Sequence, residues 1–288
     1  MNRPLVGLAL SGGGARGYAH LGVLKALNRS NIPVDLIVGT SMGAVVGAAY
    51  VTGYPVDEME AMASQIRWAQ LLRLIDVTFP RYGLLKGQRL EQFFRWLTRD
   101  KKFHQLKTPL VAIATDLENK TEVRLKSGAV AAALRATTAL PGIFLPAYVD
   151  NRLLVDGSLI NPVPASAAIE MGAEIILAVD VTSPVDRVNL LLKAKELYRG
   201  SPANVTSRHR WQQMLPACLS IVSRSLELCA QKEYHSTRYL PAGKTVISVK
   251  PPVQHIKWFE FHRYQECVAA GEIAGLQVAK QIINLLKA

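Results

Sequence analysis

Val34-Asp35-Leu36-Ile37-Val38-Gly39-Thr40-Ser41-Met42-Gly43-Ala44-Val45-Val46-Gly47-Ala48-Ala49 is the stretch that decides how this chain of 288 residues folds. The apolar run from Val34 to Val38 has the length of a buried strand. Gly39-Thr40-Ser41-Met42-Gly43 closes it, and small residues continue in helical register through Val45, Val46, Ala48 and Ala49 to Gly53. G-x-S-x-G between a strand and a helix is the setting of a nucleophile elbow. The serine takes a strained turn, and the flanking glycines keep that turn clear of side-chain clashes. Ser41 then sits at a helix N-terminus, where the dipole favours developing negative charge. The plain alternative is a serine that only caps the helix.

The same grammar occurs once upstream. Leu5 to Leu10 is an apolar run that ends in Ser11 and Gly12-Gly13-Gly14-Ala15-Arg16-Gly17. Leu21, Leu24, Ala26 and Leu27 then recur at helical spacing. Two such units predict a parallel sheet with helices on its faces. Gly12 to Gly17 also satisfies the dinucleotide fingerprint G-x-G-x-x-G. Asp35 follows Gly17 at a suitable distance, yet it precedes its strand, whereas a ribose-binding acid stands at the strand's far end. No Gly-Lys-Ser/Thr follows, so the P-loop reading fails. What remains is a glycine turn whose amides can bind negative charge, either a phosphate or the oxyanion of an acyl transfer. A turn that merely needs positive φ is the bland alternative.

Downstream, Met59 to Ile66, Ala69 to Ile75 and Arg89 to Leu97 read as helices, with a loop at Pro80 to Gly83. Leu110 to Ala114 and Glu122 to Leu125 read as strands around a turn at Glu118-Asn119-Lys120. A helix from Ala129 to Thr137 must stop before Pro141-Gly142. The strand Arg152 to Val155 delivers Asp156-Gly157-Ser158. A short helix at 164–171, a strand from Glu174 to Val179, a helical region at 186–240, a strand from Thr245 to Val249 and a long helix from Phe261 to Leu286 complete the pattern. There is no internal repeat and no low-complexity linker. One α/β domain over 1–288 is therefore expected, with a motif-bearing core at about 4–180 and a C-terminal helical region at about 186–288 packed on it.

A serine hydroxyl needs a base. Of the six histidines, His20, His104, His209, His235, His255 and His262, none stands in a Gly/Pro-rich loop after a strand. His20 lies inside the first helix and reads as a packed residue. Asp156 emerges from the end of an apolar strand, and burial would raise its pKa into a range useful for a base. A turn residue of the Asp-Gly kind explains the same position equally well.

Taken in order, Gly12 to Gly17, Gly39-Thr40-Ser41-Met42-Gly43 and Asp156-Gly157-Ser158 resemble the patatin-like phospholipases. Arg135-Ala136-Thr137-Thr138-Ala139-Leu140-Pro141-Gly142-Ile143-Phe144 and Asn161-Pro162-Val163-Pro164 resemble the family's segments before and after the aspartate. The resemblance implies a three-layer α/β/α fold with a mainly parallel central sheet. It implies a serine–aspartate dyad, with Ser41 as nucleophile and Asp156 as base. It implies an oxyanion hole from the amides of Gly12, Gly13 and Gly14, with Arg16 supporting that loop. The family's activity is hydrolysis of acyl esters of phospholipids and other lipids through an acyl-serine, without metal or organic cofactor. One departure is Ser158, where the family usually has glycine or alanine.

Composition sets the outer bounds. With 49% hydrophobic and 19% charged residues the chain is not disordered. Cys218, Cys229 and Cys267 are too few for a disulfide scaffold, and no spacing suggests structural zinc. The net charge of +12 prefers anionic partners. Residues 181–288 carry 15 Lys and Arg against 7 Asp and Glu, and residues 66–107 carry ten basic residues against Asp76, Glu91 and Asp100. The latter stretch holds Trp68, Phe93, Phe94, Trp96 and Phe103. It is expected either to face an anionic bilayer with Trp68 or Trp96 at the interface, or to pack its aromatics in the core. No zinc finger, RNP or helix-turn-helix signature supports nucleic acid as the partner. A nonenzymatic scaffold keeping the same fold is the competing class, and intact Ser41 and Asp156 speak against it. Without a secretion signal or a membrane-spanning run, the expected compartment is the cytoplasm, with peripheral membrane contact. The terminal helix, poor in basic residues, reads as a packing helix.

Overall fold

A computed structural model describes residues 3–66, 76, 85–182 and 243–287. The expected elements at 69–75, 80–83 and 186–240 lie outside these residues, as do Trp68, His209, His235, Cys218 and Cys229.

Among the described residues eight strands form one sheet: β1 (Val6–Leu10), β2 (Leu36–Thr40), β3 (Leu110–Asp116), β4 (Thr121–Leu125), β5 (Ala147–Val149), β6 (Arg152–Asp156), β7 (Ile175–Val179) and β8 (Thr245–Val249). Their order is β5-β6-β3-β2-β1-β7-β8, with β4 also pairing β3. The run from β3 to β8 is parallel throughout. The hairpins at the other end are antiparallel. Every residue of β1, β2, β3 and β7 is buried, which is why these segments read as continuous apolar runs without alternation.

Side chains alternate between two cores. Leu8, Leu10, Ile37, Leu110 and Leu177 face a core with α1 (Tyr18–Arg29), α2 (Met42–Thr52), α3 (Val56–Gln65), α4 (Gln88–Leu97) and α5 (Val130–Thr137). Ala9, Val38, Val111, Ile113 and Ile176 face the opposite core with the short α6 (Ala165–Glu170). The expected three-layer α/β/α arrangement with a mainly parallel sheet is the observed one.

The last helix, α7 (Tyr264–Lys287), packs on α1 by close backbone contact. A Cβ on Gly22 would fall 2.0 Å from the Val268 carbonyl oxygen, and one on Gly271 would fall 1.9 Å from that of Ala19. Only glycine permits this approach. Among the described residues no helix is long and apolar enough to cross a membrane.

Two local expectations change. Tyr148 lies in β5, which the sequence reading left out. It pairs with β6 through a two-residue turn at Asp150 and Asn151, with φ of 48° and 59°, the geometry of a type I′ hairpin. Helix α3 starts at Val56 rather than Met59, with Pro55 ahead of it and Asp57 and Glu58 complementing its dipole. The aromatics of 66–107 divide: Phe94 and Phe103 are buried, whereas Trp96 is 58% exposed.

Strand β3 is longer than its neighbours. One edge pairs with β4, and the other pairs first with β2, up to Thr40 opposite Ile113. From Ala114 onward that second edge pairs with β6, which runs the opposite way and ends with Asp156 opposite Ala114. The carboxyl ends of β2 and β6 therefore meet head to head on neighbouring rungs of β3.

Candidate active site

The meeting of β2 and β6 places the two predicted side chains together. The Ser41 hydroxyl donates to Asp156 Oδ2 at 2.7 Å, across 115 residues of sequence. Ser41 has φ 51° and ψ −122° and makes no side-chain cap to α2, so the helix-cap alternative does not hold. A non-glycine residue in this region costs about 1–3 kcal/mol and is held there only by its surroundings. Thr137, at the end of α5, supplies part of that hold. Its Oγ1 accepts from the Ser41 amide at 2.8 Å, and its hydroxyl donates to the Ile113 carbonyl of β3. The flanking glycines allow the sharp turn: a Cβ on Gly39 would lie 2.4 Å from the Ala44 amide nitrogen, and one on Gly43 would lie 2.2 Å from the Leu10 carbonyl oxygen.

Asp156 is 3% exposed. Its backbone amide donates to the Ala139 carbonyl, and its carbonyl accepts from the Thr115 hydroxyl. Its carboxylate serves its own turn and also meets Ser41. Oδ1 accepts the Ser158 amide at 2.8 Å and caps the turn at Gly157–Leu159, while Oδ2 receives Ser41. Burial pushes its pKa above the ordinary carboxylate value, and the Ser158 amide, the Ser41 hydroxyl and the Ser158 hydroxyl pull in the opposite direction.

The glycine turn lies beside this pair. Gly12 borders Ser41 closely enough that a Cβ on it would stand 3.5 Å from Ser41 Cβ. Its amide, however, donates to the Pro162 carbonyl at 3.1 Å. The expectation that Gly12, Gly13 and Gly14 all offer free amides is corrected accordingly: Gly12 spends its N–H on the loop after β6. The amides of Gly13 and Gly14 donate to no acceptor among the described residues. Gly14 has φ 58°, and a Cβ there would strike the Trp258 carbonyl oxygen at 2.4 Å. That carbonyl also accepts the Ala15 amide at 2.7 Å, so the segment before α7 props the turn from behind. Arg16, within the turn itself, is buried.

A scan against protein-family models matches residues 8–169 to the patatin-like phospholipase model. The chain belongs to the patatin-like phospholipase family. An NTE family protein of Mycobacterium tuberculosis is 38% identical over 62% of this chain and 49% of its own length. Patatin-like phospholipase domain-containing protein 6 of Homo sapiens is 34% identical over 62% of this chain and 13% of its own length. The chain thus spans about half the length of the mycobacterial relative and much less of the human one. Among solved structures, VipD from Legionella pneumophila superposes with a TM-score of 0.57 at 13% identity, covering 99% of this chain and 67% of that one. The likeness to VipD shows a shared fold.

The remaining candidates have structural roles in this patatin-like domain. His20 is fully buried, and its Nε2 lies 2.8 Å from the Ser11 carbonyl oxygen, behind the glycine turn. Burial lowers its pKa to about 4, which keeps it neutral. Asp35 pairs with Arg3 at 2.7 Å and accepts the Val6 amide, tying together the N-terminal ends of the central strands β1 and β2. Among the described residues no three His, Cys, Asp or Glu side chains converge in a metal-holding arrangement. Sequence reading missed the parts played by Thr137, Pro162 and Trp258. Thr137 and Pro162 stand in the two segments that resemble the family's, but their contacts reach residues distant in sequence, and no local pattern marks Trp258.

Proposed function

We propose that this protein is a serine lipid acyl hydrolase that cleaves carboxylic esters of phospholipids or related lipids with Ser41 as nucleophile and Asp156 as general base. The observation that carries the reading is the 2.7 Å contact of the Ser41 hydroxyl with a buried carboxylate at the tip of a strained elbow. The ester carbonyl is attacked by Ser41 Oγ as Asp156 Oδ2 takes its proton. The oxyanion lies against the amides of Gly13 and Gly14, with the α2 N-terminus adding its dipole. Arg16 supports that turn. The alcohol or lysolipid leaves, and water activated by Asp156 releases the acid from acyl-Ser41. No organic cofactor takes part in this cycle.

The whole chain acts as one patatin-like domain, with the C-terminal region as part of it; β8 continues the sheet, and α7 packs on α1. Contact with an anionic lipid surface is led by exposed Trp96 and the basic residues around α4. The test is incubation with a mixed phospholipid extract, with products identified by mass, beside labelling by a fluorophosphonate probe. Free fatty acid from the native protein, and neither product nor label from folded Ser41→Ala, is the expected result. Turnover retained in Ser41→Ala refutes the mechanism.

A further inference from the structure

Ser11, between β1 and the glycine turn, is fully buried and has no part in the cycle above. Its backbone is bound on both sides. The amide donates to the Val179 carbonyl of β7 at 3.1 Å, and the carbonyl oxygen lies 2.8 Å from His20 Nε2. Its hydroxyl is bound twice as well: Oγ accepts from the Val181 amide at 2.9 Å and donates to the Gly12 carbonyl at 3.1 Å. Two successive peptide groups of the turn are thus held in different ways. The Ser11–Gly12 peptide is fixed at both ends, its carbonyl by His20 and its N–H by the Pro162 carbonyl. The Gly12–Gly13 peptide is fixed at one end. Ser11 Oγ holds its carbonyl, and its N–H, on Gly13, donates to no acceptor among the described residues.

The geometry points to Ser11 as a positioning residue whose hydroxyl holds the Gly12–Gly13 peptide so that the Gly13 N–H faces the oxyanion. This rests on the serine–aspartate reading above. A peptide group is planar and trans, so a fixed carbonyl sets the opposite direction for its N–H. Val181 follows β7, and β1 lies between β7 and β2. Its hold on Ser11 Oγ draws the Gly12 carbonyl to the β7 side, which turns the Gly13 N–H to the β2 side, where Ser41 stands. Glycine on both sides of this peptide leaves its rotation unrestrained by side chains, so the hydroxyl supplies the restraint. An oxyanion donor is effective when it is aimed in advance at the place where charge develops. Ser11 touches no substrate and acts through the peptide it holds.

In Ser11→Ala, kcat for ester hydrolysis is expected to fall by about ten- to a hundredfold, approaching the loss of a whole oxyanion donor, with KM changed less than about twofold. Melting is expected to drop as well, because the Val181 amide loses its acceptor. A purely structural role would not move the next readout. Gly12-Gly13-Gly14 holds the only adjacent glycines in the sequence. Glycine labelled with carbon-13 at the carbonyl and nitrogen-15 at the amide therefore isolates the NMR signals of the Gly13 and Gly14 amides. When a fluorophosphonate modifies Ser41 in the native protein, the Gly13 signal is expected to move downfield. In Ser11→Ala that movement is expected to be lost, and in Ser11→Cys, a weaker donor of similar shape, to be reduced. Should Ser11→Ala not fold, Ser11→Cys decides on the same readouts. A Gly13 shift of native size in either folded variant overturns the role of Ser11, whatever kcat does, and leaves the dyad standing. A Gly13 signal that does not respond in the labelled native protein does the same. Failure of the native protein to label or turn over, with melting intact, overturns both.

Discussion

The two strand-to-helix turns at the heart of this molecule, Gly12–Gly17 after β1 and Gly39–Gly43 after β2, have the same local grammar and opposite uses. Their strands are neighbours in parallel register, Leu10 beside Gly39. In the second turn the unusual backbone falls on a residue with a side chain, Ser41 at φ 51°, and what is displayed is a hydroxyl. In the first turn the positive φ falls on Gly14 at 58°, and what is displayed is bare amide. A side chain is excluded there by contact: the space beside Gly12, Gly13 and Gly14 is taken by Ser158, Val181 and Trp258. On the proposed mechanism, one turn presents the nucleophile and the other presents a surface for the charge that the reaction creates.

Breaking either turn should separate these roles. The largest effect is expected in the elbow. Ser41→Ala or Asp156→Asn should lower kcat by about a thousandfold or more in a folded protein, as for other paired nucleophile–base sites, measured by fatty-acid release. Gly14→Ala should lower kcat by roughly a hundredfold, the typical loss when an oxyanion donor is displaced, while fluorophosphonate labelling of Ser41 slows without being abolished. Labelling at the native rate in Gly14→Ala would show that the first turn is not part of the charge-binding surface. Thr137→Val keeps the shape but removes the group that joins the Ser41 amide to the Ile113 carbonyl. It should cost about 1–3 kcal/mol in urea unfolding, because two buried polar groups lose their partner, and activity should fall with it.

The smallest effects concern pH and carry opposite signs in the two turns. Behind the first turn, His20 titrates at about 4 when folded, below its unfolded value of 6.5. Stability from this group is full above 6.5 and declines as pH falls toward 4. At pH 5.5 the loss is about 1 kcal/mol, and His20→Gln should abolish that part of the slope. In the elbow, Asp156 has a folded pKa raised above its unfolded value, so the native state binds the extra proton. Stability from this group is greatest below the unfolded value and falls as pH rises through the folded one. Asp156→Asn should therefore melt higher than the native protein at neutral pH, with the gap closing in acid. A melting gap that does not depend on pH would refute the buried charged carboxylate.

The elbow was legible because its signal is local. Apolar run, G-x-S-x-G and small-residue helix lie in one window, and each residue type answers to the backbone of its own turn. The parallel strands were legible for the same reason, whereas the start of α3 was read three residues late. Tyr148 and its strand β5 were missed because three residues carry too little pattern, although the Asp150-Asn151 turn between β5 and β6 was a usable clue. Gly12 was misjudged because an amide's availability depends on its acceptor, here the Pro162 carbonyl 150 residues away in the chain.

By itself the sequence determined the parallel α/β layers, the strained serine and the glycine-rich turn, since periodicity and glycine placement act over a few residues. That Asp156 meets Ser41 as well as capping its own turn was decided only by tertiary structure. Strand β3 is long enough to pair β2 and β6 in succession along one edge, so their carboxyl ends abut and bring Ser41 and Asp156 to 2.7 Å. Register along a shared strand is a property of the assembled sheet. No reading of either segment alone contains it.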